Sequence, residues 1–210
     1  MGTRGIMGFV VDGEVKAAYN HFDSYPSGLG VQVGAFAATL VGERLGQYAD
    51  AVRGLRLIDE DTEPSESERK NFARFADEGV STGKDWYSLL RQCQGDPEKT
   101  LDSGVLLDGL SFAHDSLFCE WGYLLNFDTG QIEVYRGFQT QAEFVKGRFA
   151  NGETNRGYAS ITLLGTLPFT FGDSAQFWSQ LEAAIYAEDE QADPQAAIEA
   201  AFRVQEVTAD

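Results

Sequence analysis

Residues 5–23 read GIMGFVVDGEVKAAYNHFD, and the Asp12-Gly13 pair in their middle decides how the chain begins to fold. Asp-Gly between two apolar runs signals a two-residue type I′ hairpin turn, because both residues tolerate positive φ. With Asp12 and Gly13 as the central turn residues, Val11 faces Glu14, Val10 faces Val15, Ile6 faces Tyr19 and Arg4 faces His21. One face of the ribbon then carries Val10, Val15, Ile6, Tyr19, Arg4 and His21, so an apolar patch grades into a polar end.

The rest of the chain repeats the strand theme once and otherwise turns helical. Residues 117–137, LFCEWGYLLNFDTGQIEVYRG, hold two aromatic and branched runs around a three-residue Asp-Thr-Gly loop, a second hairpin with a bulge. ASITLLGTLP, residues 159–168, predicts a further strand that Phe169 to Phe171 extend, and Leu55 to Ile58 a short one. Between them, residues 30–52 space Val33, Phe36, Ala37, Leu40 and Val41 as the buried face of one helix, despite Gly34, Gly42 and Gly46. Ser65-Glu66-Ser67-Glu68 is a capping box that opens a helix burying Phe72, Phe75 and Ala76. Lys84 to Cys93 predicts a helix with Trp86, Leu89 and Leu90 inward, followed by GDPEKTLDSG as a loop. Asp173 caps a helix burying Phe177, Trp178, Leu181 and Ile185, and Asp193-Pro194 opens a last short one. Two hairpins, one further strand and several helices without βαβ alternation predict an α+β fold, a mainly antiparallel sheet with helices packed on its faces. Residues 1–186 form the single globular domain of this reading, and residues 187–210 an acidic C-terminal segment.

Charge narrows the function classes. The formal net charge is −17. Six acids and no base lie in residues 59–68, and seven acids against Arg203 in residues 187–210, so two stretches carry most of the excess. Such a chain repels nucleic acid and anionic membranes, and the acids cluster in a loop and a tail rather than at the phosphate-like spacing of a DNA mimic. No apolar run approaches the roughly 20 residues of a membrane span, and a cytoplasmic location is expected. Cys93 and Cys119 have no partners at zinc-ligand spacing and read as reduced thiols.

The candidate chemistry lies in residues 19–30, YNHFDSYPSGLG. On an extended strand Tyr19, His21 and Asp23 share one side, so an imidazole and a carboxylate stand together with Tyr25 close by. These three suit acid–base work, and Arg4 suits an anion. His21, Asp23, His114 and Asp115 would make a divalent-metal cluster if the fold brought the two stretches together. The bland alternative is a hydrogen-bonded histidine and an Asp that caps a turn. Gly28 and Gly30, at a strand-to-helix junction, offer amides to a phosphate or serve only a tight turn. No Gly-x-Ser-x-Gly elbow or P-loop ending is present, so no catalytic frame is set by motif.

MGTRG with YNHFDSYPSGLG, and EWGYLLNFDTGQIEVYRG, resemble a group of bacteriophage and actinobacterial proteins with an N-terminal Thr-Arg pair and a His-x-Asp-x-Tyr-Pro segment. The resemblance brings no established activity; it implies a phage origin, the host cytoplasm as location, and a shared site at Thr3, Arg4, His21, Asp23 and Tyr25. The expected function is therefore binding of a host or phage protein during infection. The alternative is a small-molecule site beneath the first hairpin, for an anionic ligand or nucleotide, that binds or hydrolyses it.

Overall fold

The computed structural model describes residues 2–77, 79, 85–150, 152, 155–186 and 202. Their main sheet has five strands, β1 (Gly5–Val11), β2 (Glu14–Asn20), β5 (Trp121–Asn126), β6 (Gln131–Arg136) and β7 (Thr162–Pro168), in the order β2-β1-β5-β6-β7. Two short strands, β3 (Arg56–Ile58) and β4 (Val105–Leu107), pair in parallel as a separate ribbon. The helices are α1 (Val31–Ala38), α2 (Glu43–Gly54), α3 (Glu66–Phe72), α4 (Trp86–Leu89), α5 (Pro97–Ser103) and α6 (Ala175–Tyr186). The chain is thus α+β with a mostly antiparallel sheet built from two hairpins and one more strand.

The first hairpin forms in the register set by its turn, with Val11 opposite Glu14 and Ile6 opposite Tyr19. Its ladder stops at Gly5 and Asn20, so Arg4 and His21 lie beyond it. The hairpins join side by side through a parallel β1–β5 contact, Gly5 against Trp121 to Val10 against Asn126. That central position explains the unbroken apolar run of β1, all seven residues of which are buried. Met7, Phe9 and Val11 join Tyr123, Leu125, Ile132 and Val134 in the larger core, on the side of α1, α2 and α6. Ile6, Val10, Leu124 and Tyr135 face the other way, under the turns Leu110–His114 and Gly147–Phe149. With both faces covered, alternation between apolar and polar residues has no function.

Several expectations need correction. The single helix over residues 30–52 breaks at Thr39–Gly42, where Gly42 takes φ 56°, and Val41 is exposed. GDPEKTLDSG is α5 and not a loop: Asp96 accepts from the Lys99 amide, Pro97 opens the helix and Gly104 ends it at φ 69°. The helix expected over Lys84 to Cys93 is one turn, α4, continued by a tighter turn at Arg91–Cys93; Lys84 lies outside the described residues. The second hairpin loop has four residues, Phe127 to Gly130, and the sheet's irregularity sits between β6 and β7 at Val134/Tyr135. Phe169–Phe171 is a helical turn, and the Ser174 hydroxyl, not Asp173, accepts from the Phe177 amide at the start of α6. The capping box at Ser65 and Glu68 forms, and the four apolar residues assigned to α6 are buried. The helix expected at Asp193-Pro194 lies outside the described residues.

Candidate functional site

The stretch after β2 is built first as a turn. Asn20, buried, donates from Nδ2 to the Ser24 hydroxyl at 2.7 Å, and the Tyr123 hydroxyl donates to the Ser24 carbonyl at 3.0 Å. Asp23 sits at φ 50°, in the left-handed region, and its carbonyl accepts from the Leu29 amide at 2.8 Å. A Cβ on Gly28 would collide with that carbonyl, and one on Gly30 would press into the Trp178 ring at 2.8 Å. The glycines therefore serve close approach. Their amides point back to the Tyr25 carbonyl, at 3.0 Å from Gly28 and 3.5 Å from Gly30. The Ser27 amide is taken by the Glu182 carboxylate at 2.8 Å, so the chain's own acid occupies the position offered to a phosphate.

The expected site residues separate in space. The Tyr19 hydroxyl lies 2.7 Å from Nδ1 of His21. Burial, with the charges of Arg91 and Arg4, holds His21 below its ordinary value, so it is neutral near pH 7 and stays hydrogen-bonded to the phenol. Arg4 lies close enough to act on His21, yet its guanidinium stacks over Phe118 at 5.2 Å. Tyr25 is turned toward Asp23, whose charge and hydrogen bond raise the phenol's pKa. His114 is 2.8 Å from the Ser160 hydroxyl, and Asp115 accepts from Asn155 at 3.3 Å. Among the described residues no three His, Cys, Asp or Glu side chains converge as metal ligands, so the four-residue cluster does not assemble. Both cysteines are buried and free; burial pushes Cys93 up to about 12 and Cys119 well above its ordinary range, which leaves neither a nucleophile at neutral pH.

What the structure adds is a cavity of about 440 Å³ against the outer edge of β2. Gly109 brings the chain after β4 onto that edge, its amide 2.9 Å from the Ala17 carbonyl. Leu90, Val105 and Leu106 form an apolar floor, and Tyr19, Tyr87 and Phe112 form an aromatic wall. Tyr19 meets Phe112 edge-on at 5.0 Å and Tyr87 at 6.4 Å between centroids. Glu60, Asp108, Gln94 and Ser111 supply polar groups, and among the described residues the lining holds two carboxylates and no lysine or arginine. A smaller, polar cleft of about 270 Å³ adjoins it through Gln94 and includes Asn20, Phe22, Asp23 and Arg91. His21 thus acts on the cavity only by holding the Tyr19 hydroxyl. Of the expected residues Arg4, His21, Asp23, Tyr25, Gly28, Gly30, His114 and Asp115 none lines the larger cavity, although Tyr19 from the same stretch does, and no sequence motif marked it: its walls come from separate stretches of the chain. No helix of the described residues is long and apolar enough to cross a membrane. No protein-family model, curated protein or solved structure matches the chain.

Proposed function

We propose that the protein binds a small, flat, uncharged or cationic molecule in the cavity beside β2. The observation that carries this reading is the cavity itself, about 440 Å³ with an apolar floor and an aromatic wall. Its volume falls in the range of small-ligand sites, roughly 300–1,000 Å³. Ring faces favour a planar or cationic partner, and the carboxylates of Glu60 and Asp108 favour positive charge over the anion expected beneath the hairpin. Binding fits better than hydrolysis: the phenol of Tyr19 is raised by burial, the Cys93 thiol is protonated, and His21 is turned to Tyr19.

The test is a ligand-observed magnetic resonance screen of matched aromatic amines, neutral aromatics and aromatic acids. The amines and neutral rings should bind, the acids should not, and Ser111→Trp at the exposed mouth should abolish binding while the protein stays folded. Binding that survives Ser111→Trp, or a screen in which the acids win, would overturn the proposal.

A further inference from the structure

At the end of the sheet where β1, β5 and β7 begin and β6 finishes, arginines and aromatic rings alternate. The Glu120 amide bonds the Arg4 carbonyl at 2.9 Å and its carbonyl accepts from Gly137 at 2.8 Å, so the segment before β5 is seated between the ends of β1 and β6. That segment carries Phe118. The guanidiniums of Arg4 and Arg156 lie over this one ring, 5.2 Å and 5.4 Å from its centroid. Beside it Arg136 covers both Trp121 and Phe138, at 4.7 Å and 5.1 Å, and donates to the Glu120 carbonyl at 3.3 Å.

Two features set this surface apart. The sequence has 33 acids for 16 lysines and arginines, so a guanidinium has acids to spare. Yet among the described residues neither Arg4 nor Arg156 has an ion-pair partner, although Asp115 and Glu120 lie within three residues of Phe118 in the chain. Second, Phe138 is 44% exposed and held at φ 58°, with Arg156 at φ 52°. A bulky side chain in the left-handed region is unfavourable and persists only when its surroundings enforce it, a pattern that concentrates at binding sites.

We infer that this end of the sheet docks an acidic polypeptide segment of a partner protein, with carboxylates on Arg4 and Arg156 and an apolar side chain on Phe138. A guanidinium lying flat on a ring keeps its N–H edge outward, where a carboxylate takes it in a fork. Arg4 and Arg156 over Phe118 also make that ring a poorer platform for the bases of a single strand. A long polyanion also meets the net charge of −17, whereas a short acidic segment feels mainly the cations within the Debye length, about 8 Å.

The experiment is fluorescence anisotropy with a labelled peptide of alternating Glu and Leu, its Gln–Leu analogue, and an oligothymidylate of equal charge. The acidic peptide should bind, more weakly as salt rises from about 0.05 to 0.2 M. Each of Arg4→Ala and Arg156→Ala should weaken it about tenfold, the loss of one charge-assisted hydrogen bond. Arg156→Lys should restore only part, because the charge returns without the fork, and the melting temperature should hold throughout. Equal binding of the Gln–Leu analogue, preference for the oligothymidylate, or unchanged affinity in the arginine variants would overturn the inference. The cavity reading is untouched by any of these results, since none of the residues lines it.

Discussion

Glu133 shows how one residue sets part of the acid stability. It is buried in β6, and its carboxylate receives a two-pronged bond from Arg148, at 2.8 and 2.9 Å, with Tyr135 at 2.6 Å and Asn126 at 2.7 Å. Burial pushes its pKa up, but the bonds from Arg148, Tyr135 and Asn126 together outweigh it and hold the group below its ordinary value. A carboxyl lowered on folding stabilises the protein above its unfolded pKa, and this contribution is lost as pH falls through the folded value. Arg148→Met strands the charge. It should cost about 2–3 kcal/mol near neutral pH, less than a fully buried pair because Arg148 is partly exposed. Urea unfolding from neutral pH to pH 3 tests this, and the loss should shrink toward acid as Glu133 protonates. His21 works in the same direction at higher pH. Its folded pKa is lowered by burial, Arg91 and Arg4, so its contribution is present above 6.5 and declines below it as the unfolded chain takes up the proton first. In His21→Gln the melting temperature should fall less steeply below pH 6.5 than in the native protein.

Among the elements, α1 and α2 make opposite use of glycine. A Cβ on Gly34 would strike the Gly172 carbonyl, whereas one on Gly46 meets nothing within 4 Å. Gly34→Ala should therefore destabilise by about 1–3 kcal/mol through overpacking, and Gly46→Ala should stabilise by up to about 1 kcal/mol through helix propensity. Chemical denaturation of the pair decides it; two changes of the same sign would sink the packing account. The end of α2 carries a second device. Lys16 of β2 is 6% exposed, and its ammonium donates to the carbonyls of Val52, Arg53 and Leu55 at 3.1–3.2 Å. The negative end of the helix dipole compensates a buried cation that, among the described residues, has no carboxylate partner. Lys16→Met should cost about 2 kcal/mol by leaving these carbonyls without their donor, measured by thermal unfolding. These features also show what a sequence can disclose. The hairpin register followed from Asp12-Gly13 because turn and ladder are local. The Asp-Pro signal that marks α5 at Asp96-Pro97 was equally present, and was obscured by the polar residues around it. The short strand expected at Leu55 to Ile58 is β3, but β4 and its pairing were not legible: three residues cannot display a period, and parallel partners lie far apart in the chain. The cavity was hidden for the same reason, whereas the turn around Asp23 could be read from residues 19–30 alone.

For the whole molecule the deciding quantity is the net charge of −17. Salt acts on it in two opposed ways. It screens the attraction within exposed pairs such as Arg44–Glu98 and Arg56–Glu68, which stabilises less as ionic strength rises. It also screens repulsion among the acids, six of them within residues 59–68, none of which needs a partner to repel its neighbours. Exposed pairs contribute little even at low salt, because water already screens them and holding two long side chains costs entropy. Repulsion, by contrast, grows with the excess of one sign, and here acids outnumber lysines and arginines two to one. The repulsive term should win. Raising sodium chloride from about 10 mM to 0.3 M, where the Debye length shrinks from about 30 Å to under 8 Å, should raise the melting temperature. For a chain of this length the rise is about 2–4 °C for each kcal/mol of repulsion relieved. A melting temperature that falls over this range would mean that ion pairs, not the acidic excess, dominate the electrostatics. Arg148–Glu133 should be least affected, since its carboxylate is only 8% exposed. The loss caused by Arg148→Met should therefore be nearly the same at both salt concentrations.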